Sequence, residues 1–520
     1  MVGQPRGAPA LVSALLALAA LSPWPALAAD QVCDPDAGYL SGPEYLRAVS
    51  LDLRGRPPSL EEYELLGADG EVPDAVLDGW LASPEHAERV VRHHRDLLWN
   101  ALDDQEYLHP NARLGQTREG VWFRNRGGFT RVLRGAQTGC SDHPAEFDED
   151  GELIVTRVGG VADEGWVWVE PFWDPGSRIK VCALDADDAE IGSDGLSCEG
   201  PRRSGSLSCG CGPHLDGCMP PAYHDVLADS FVEDVDRRIR ANILEDRPYT
   251  DLLEGSRVWV NGPIVHFMRR SAPYAVNGLD RTPYAAELLP DLEWNDRDVW
   301  VEVDLGPEQA GFFTSPAFLN RFTTNRGRAN QFANNFLCQP YMPPPGGLPP
   351  VVEDPPLDLT ARDGCKFCHA LLEPHAAHWG RWDGAGYLDA DLVPAFDAAC
   401  EACGLNGGRN CPEECAVYKV RTVGDEELPY VGWLPAYTFL EERHHANVEV
   451  GPKLLVRQSI ASGLLPACVA EKAGSRLLGR ELTGGDDVWL DAVTAGLEAD
   501  WSYRDLVRAV VTSDNYRRVP

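Results

Sequence analysis

The sequence predicts a mainly α-helical, multi-domain protein interrupted by one β-rich, disulfide-tied insertion, and three observations carry that expectation. Apolar residues recur at helical spacing near residue 90, through the 230s and again at the end of the chain. Between the first two stretches, over 111–222, short β-branched and aromatic runs alternate with clusters of Gly, Asp and Cys. A length of 520 residues suits three or four domains, and 44% hydrophobic residues with 15 Trp supply material for their cores.

Residues 1–29 open with Arg6, continue as an apolar run from Ala10 to Leu21 and end on Ala26-Leu27-Ala28-Ala29, the three parts of a secretory signal peptide. The run is too short to span a bilayer, no later segment reaches the ~20 apolar residues of a transmembrane helix, and Cys33 lacks the small-residue box of a lipid anchor. The expected location is therefore exported, in a periplasm or at the cell surface, with no membrane span. Residues 30–110 form an N-terminal helical domain. In it Ser83-Pro84-Glu85 supplies an N-cap, a first-turn proline and an acidic first turn, and Val90, Val91, Leu97, Leu98 and Leu102 extend a helix over 84–102. His93 and His94 on that helix read as partly exposed surface rather than as metal ligands.

The 111–222 insertion carries strand-like runs such as Leu153-Ile154-Val155 and Trp166-Val167-Trp168-Val169. Its Cys182, Cys198, Cys209, Cys211 and Cys218 read as disulfides in an exported chain. Carboxylates from Asp185 to Asp194 are dense enough to raise calcium, but their spacing fails the EF-hand pattern, so a solvated loop is expected. Residues 223–325 form a helical domain whose stripe Phe231, Val235, Ile239 and Ile243 must face a core. Residues 326–450 hold a further helix over 326–337, a proline-rich linker and a second cysteine cluster. Residues 451–520 close the chain as a small helical domain, with Ser502-Tyr503-Arg504-Asp505 as a capping box before Leu506, Val507, Val510 and Val511.

The most informative five residues are Cys365-Lys366-Phe367-Cys368-His369. C-x-x-C-H is the sequence to which haem c is covalently attached: two thiols on one short turn add to the haem vinyl groups, and the adjacent imidazole sits under the iron as axial ligand. The 326–450 segment therefore reads as a cytochrome-c-like haem module, with Cys365, Cys368 and His369 binding the cofactor. A disulfide or half of a zinc site is the alternative use of the same residues. Cys400, Cys403, Cys411 and Cys415 read as disulfides first and as a four-thiolate zinc or iron–sulfur site second.

The sixth iron ligand is narrowed but not fixed. No methionine follows Met342, which excludes the downstream His/Met pair of simple cytochromes. His375 and His378 stand too close to His369 to reach the opposite haem face and read as supporting polar residues. His444 and His445 are distant enough to loop back, Met342 can reach over from the linker, and an open or water-bound iron is the third arrangement. Bis-His ligation would lower the potential and favour plain electron transfer, whereas an open position would allow peroxidase-like chemistry. G-x-S-x-G, H-E-x-x-H and phosphate-binding glycine loops are absent from the sequence, which favours a redox protein over a hydrolase.

Charge bears on partners. With 81 acidic against 46 basic residues the formal charge is -35, which opposes binding to nucleic acid or anionic lipid. A redox partner protein is the partner the motif implies.

Several segments together resemble the planctomycete-type cytochrome families, exported bacterial proteins built from domains of unknown function around a single C-x-x-C-H. These are YLRAVSLDLRGRPPSLEEY (45–63), LASPEHAERVVRHHRDLLWNAL (81–102), RPYTDLLEGSRVWVNG (247–262), GFFTSPAFL (311–319), NRGRANQFANNFLCQPYMPPPGGLPP (325–350), CKFCHALLEPHAAHWGRWDGAGY (365–387) and YRDLVRAVVTSDNYRR (503–518). The resemblance covers well over half of the chain that follows the leader and implies an electron-transfer role. Where the family has Asp-Pro-x-Gly-Phe after the haem histidine, this chain has Glu373-Pro374-His375-Ala376-Ala377, while Asp383 and Gly386 keep their places. The 111–222 insertion and the cysteines from 400 to 415 have no counterpart in it. The competing expectation is an exported scaffold or a ligand- or polymer-binding protein in which C-x-x-C-H only braces the fold.

Overall fold

Helix starts in this chain are written in small polar residues, and the architecture follows from where those starts fall. The computed structural model describes residues 38–67, 71–99, 101–102, 112–124, 139–158, 161–188, 190–191, 198, 209–271, 286–342, 347, 362–383, 386–387 and 447–518. The signal peptide, Cys33, Asp194, Cys400, Cys403, Cys411, Cys415, His444 and His445 lie outside the described residues.

The N-terminal part contains α1 (Gly42–Arg54), α2 (Asp74–Leu81) and α3 (Pro84–Leu98). Ser83 caps α3 by accepting from His86 N, an interaction worth about 1 kcal/mol. The helix stops four residues short of the expected end, because Trp99 adopts a left-handed conformation with φ 49°. His93 and His94 are buried within it, not surface residues as their place on an amphipathic helix suggested. His94 Nδ1 donates to Val90 O at 2.9 Å, and its Nε2 lies 2.9 Å from the Tyr249 hydroxyl. The two bonds remove the penalty that an unpartnered buried imidazole would carry.

The insertion contains β1 (Leu114–Gln116), β2 (Trp122–Arg124), β3 (Thr156–Val158), β4 (Val161–Asp163), β5 (Trp166–Val169) and β6 (Ile179–Cys182). Strands order as β1-β2-β6-β5 in one sheet, with β3–β4 as a separate hairpin. Such short strands bury little surface, and disulfides Cys140–Cys182, Cys198–Cys209 and Cys211–Cys218 compensate. Asp185 belongs to this packing and not to a solvated loop: its side chain is fully buried and accepts from Arg124 N at 3.0 Å.

The longest helix, α4 (Tyr223–Glu245), presents the predicted stripe Phe231, Val235, Ile239 and Ile243 to the core and packs across α3. On another face Asp234 pairs with Arg238 and accepts from Trp259 N at 2.7 Å. That bond ties the helix to β7 (Arg257–Val260), which pairs antiparallel with β8 (Val301–Asp304). Next come α5 (Pro316–Arg321), α6 (Asn325–Phe336), α7 (Lys366–Ala377) and the two-residue strands β9 (Trp382–Asp383) and β10 (Gly386–Tyr387). The chain closes with α8 (Pro452–Ala461), α9 (Leu464–Leu478), α10 (Asp487–Asp500) and α11 (Tyr503–Val511). Ser502 caps α11 as its spacing predicts, accepting from Asp505 N, and Leu506, Val507, Val510 and Val511 are buried. A single buried cluster runs from Tyr45 through α4, α6, α7 and α9 to Tyr516. Disulfide Cys338–Cys468 links the end of α6 to α9 across 130 residues. The result is a mainly helical protein with a small sheet and four disulfide pairs among the described residues.

Candidate functional site

The C-x-x-C-H motif opens α7, and the surroundings of that helix explain how it is held. Its first turn has little to pack against: Phe367 and Leu371 are exposed, while Cys365, Cys368 and His369 are half-buried. Its far end is anchored instead. Trp379 is completely buried between Phe318 and Phe332 and donates its indole N–H to Phe313 O at 2.9 Å. His378 donates from Nδ1 to Gly451 O at 2.8 Å, fixing the helix end to the start of α8. His375 Nδ1 is bonded to the Tyr341 hydroxyl at 2.7 Å. Pro374 lies inside α7 and cannot donate to the preceding turn. Its carbonyl accepts from Asn447 Nδ2 at 3.1 Å.

The neighbouring helix α6 supplies the other fixed groups. Thr324 caps it by accepting from Gly327 N at 3.0 Å. Arg328 is buried with no carboxylate among its hydrogen-bond acceptors. It donates to Phe322 O, Leu319 O, Asn325 Oδ1 and Trp382 O, and burial lowers its pKa to about 9. The last of those bonds clamps β9 to α6. Asp383 and Gly386 form a register pair of the antiparallel β9–β10 strands.

Of the ten described cysteines, eight form the four disulfide pairs, and Cys365 and Cys368 are the two that remain as thiols. Directly after Cys368, His369 is gripped from one side: Nδ1 lies 2.5 Å from Glu373 Oε1, one helical turn along α7. The Glu373 side chain is fully buried, and the same oxygen accepts from Arg326 Nε at 2.7 Å. Burial, the largest influence, pushes the Glu373 carboxyl upward. The hydrogen bonds and charges of His369 and Arg326 outweigh it and leave the carboxyl below its ordinary value. An ionised carboxylate only accepts, so Nδ1 donates to Glu373 and Nε2 is the ring nitrogen outside that bond.

The structure thus brings Cys365, Cys368 and His369 together on one helix turn with a defined tautomer. Met342, the sixth-ligand alternative within the described residues, is exposed and follows Tyr341, which is bonded to His375 on the same helix. Glu373, Arg326 and Tyr341 are functional neighbours that the sequence reading assigned no role. The i, i+4 spacing of His369 and Glu373 was a visible signal for the first. Nothing local marks the other two, Arg326 at the start of α6 and Tyr341 at the start of the linker, 47 and 34 residues from their partners on α7. Elsewhere, Cys140, Glu164 and Cys182 have ligand atoms close enough for a metal, but the two thiols are paired with each other. No calcium-type grouping of carboxylates occurs among the described residues. No helix among them is long and apolar enough to cross a membrane.

A paired-thiol and single-imidazole site at a helix start is the class of arrangement this geometry defines. No protein-family description, curated protein or solved structure matches the chain.

Proposed function

We propose that this is an exported c-type haem protein that carries electrons through one haem, thioether-linked to Cys365 and Cys368 with His369 as proximal ligand. The observation that carries the reading is selective: in a chain whose other described cysteines are paired, the two of the C-x-x-C-H motif stay as accessible thiols beside an imidazole with its Nε2 lone pair directed away from Glu373. The donor set fits the group. Two thiols would supply the thioether bonds, the His369 imidazole would supply the iron ligand, and Phe367 and Leu371 offer exposed apolar surface at the same turn. When bound, haem supplies a ferric/ferrous couple that takes one electron from a reductant protein and passes it to an oxidant protein. His444, His445 and Met342 remain the proposed sources of a sixth ligand.

Export supports this reading from two sides. The predicted leader directs the chain out of the cytoplasm, and the four disulfide pairs suit an oxidising compartment. The family resemblance of the segments around residue 365 points the same way. Expression with a c-type haem attachment system provides the test: a Soret band that survives denaturation and acid extraction is the expected result. A folded but colourless product overturns the proposal and leaves the motif a bracing element.

A further inference from the structure

We infer that Glu373, held by Arg326, is a positioning residue that makes His369 a stronger electron donor and sets the haem at a low reduction potential. The inference rests on the haem reading above and adds to it a determinant of redox strength.

Three observations carry it. First, the acceptor on His369 Nδ1 is a carboxylate rather than a neutral carbonyl, at 2.5 Å. A charged acceptor draws the Nδ1 proton further from the ring, and the ring then donates more density through Nε2. Second, the Glu373 side chain is fully buried, so water does not screen the interaction as it would at an exposed i, i+4 pair. Third, Glu373 cannot swing away. Arg326, projecting from the first turn of α6, donates to the same oxygen that faces His369. A buried carboxylate without such a cation would be too costly to keep ionised.

Electron donation through Nε2 stabilises ferric iron more than ferrous iron, so the one-electron couple shifts to lower potential. The electron comes from the reductant protein of the proposed function, and no proton need cross between His369 and Glu373. Arg326 acts through Glu373, because it keeps that carboxylate ionised and in place. Loss of either residue is therefore expected to raise the potential, while a variant that keeps the carboxylate charge restores part of the shift.

Potentiometric titration of the haem-loaded protein and its variants tests this. Glu373→Gln is expected to raise the potential by at least tenfold in the reduction equilibrium, or about 59 mV for one electron. Arg326→Gln is expected to raise it as well, and Glu373→Asp, which keeps the charge, is expected to lie between wild type and Glu373→Gln. The aspartate variant also keeps the question open to measurement if the glutamine variant fails to fold. Haem-loaded Glu373→Gln and Arg326→Gln variants whose potentials match wild type or fall below it would overturn the role of Glu373 while leaving haem attachment standing. A wild-type chain that folds without covalent haem would overturn both.

Discussion

Two histidines, each one turn along its helix from a hydrogen-bond acceptor, have opposite fates in this molecule. His94 on α3 is completely buried, with both ring nitrogens used inside the protein, one by Val90 O and one by Tyr249. His369 on α7 is half-buried, with Nδ1 held by Glu373 and no bond to Nε2 among the described residues. The difference lies in what packs across each helix. Helix α4 and the Tyr249, Phe312 and Tyr503 rings close over His94, whereas the first turn of α7 keeps Phe367 and Leu371 exposed. His94, with two internal partners, is a piece of core, and His369, with one, is the residue proposed to take a ligand.

The largest break in this comparison should come from the anchor of α7 rather than from its site. Trp379→Ala removes a fully buried indole and its bond to Phe313 O, and is expected to cost about 3–5 kcal/mol in denaturant unfolding. A loss below ~1 kcal/mol would mean that α7 is not fixed through its far end.

Acid should separate the two histidines next. Burial lowers the pKa of His94 from 6.5 to about 4, so the folded protein holds it neutral while the unfolded chain protonates near 6.5. The unfolded state therefore binds more protons between those values. Stability present above pH 6.5 falls as the pH drops toward 4, by up to about 3 kcal/mol from this residue. His86, also buried and lowered to about 4, acts in the same window with the same sign. A His94→Gln chain should lose roughly half of that dependence in unfolding measured across pH 4–7. An undiminished slope would show that His94 is not held neutral in the core.

The smallest effect sharpens the comparison from the other side. His369→Ala should cost the haem-free chain about 1–2 kcal/mol, less than Trp379→Ala, because its side chain is partly exposed and Glu373 keeps Arg326 as a partner. A cost resembling that of a core residue would place His369 with His94 and remove the distinction.

Much of the helical fold was legible because periodicity reports burial: the Phe231 to Ile243 stripe and the Ser502 cap lie where their spacing puts them. The end of α3 was missed because Trp99 stops the helix with a left-handed backbone that no Gly or Pro announces. His93 and His94 were misplaced for a related reason. Polar residues on an amphipathic helix read as exposed until a partner is known, and Tyr249 is 155 residues away from His94. The site divides in the same manner. Its two thiols and its histidine are contiguous and therefore readable, and Glu373 is one turn away. Arg326 and Tyr341 stand 47 and 34 residues from their partners on α7, and sequence spacing does not encode those pairings.

The central claim is that the two thiols of α7 carry a haem. Intact-mass measurement of the denatured protein, produced with a c-type haem attachment system, tests it most directly. The predicted result is a chain heavier by one haem group, with the added mass lost in the Cys365→Ser/Cys368→Ser variant. A wild-type chain that folds and shows only its polypeptide mass would contradict the account.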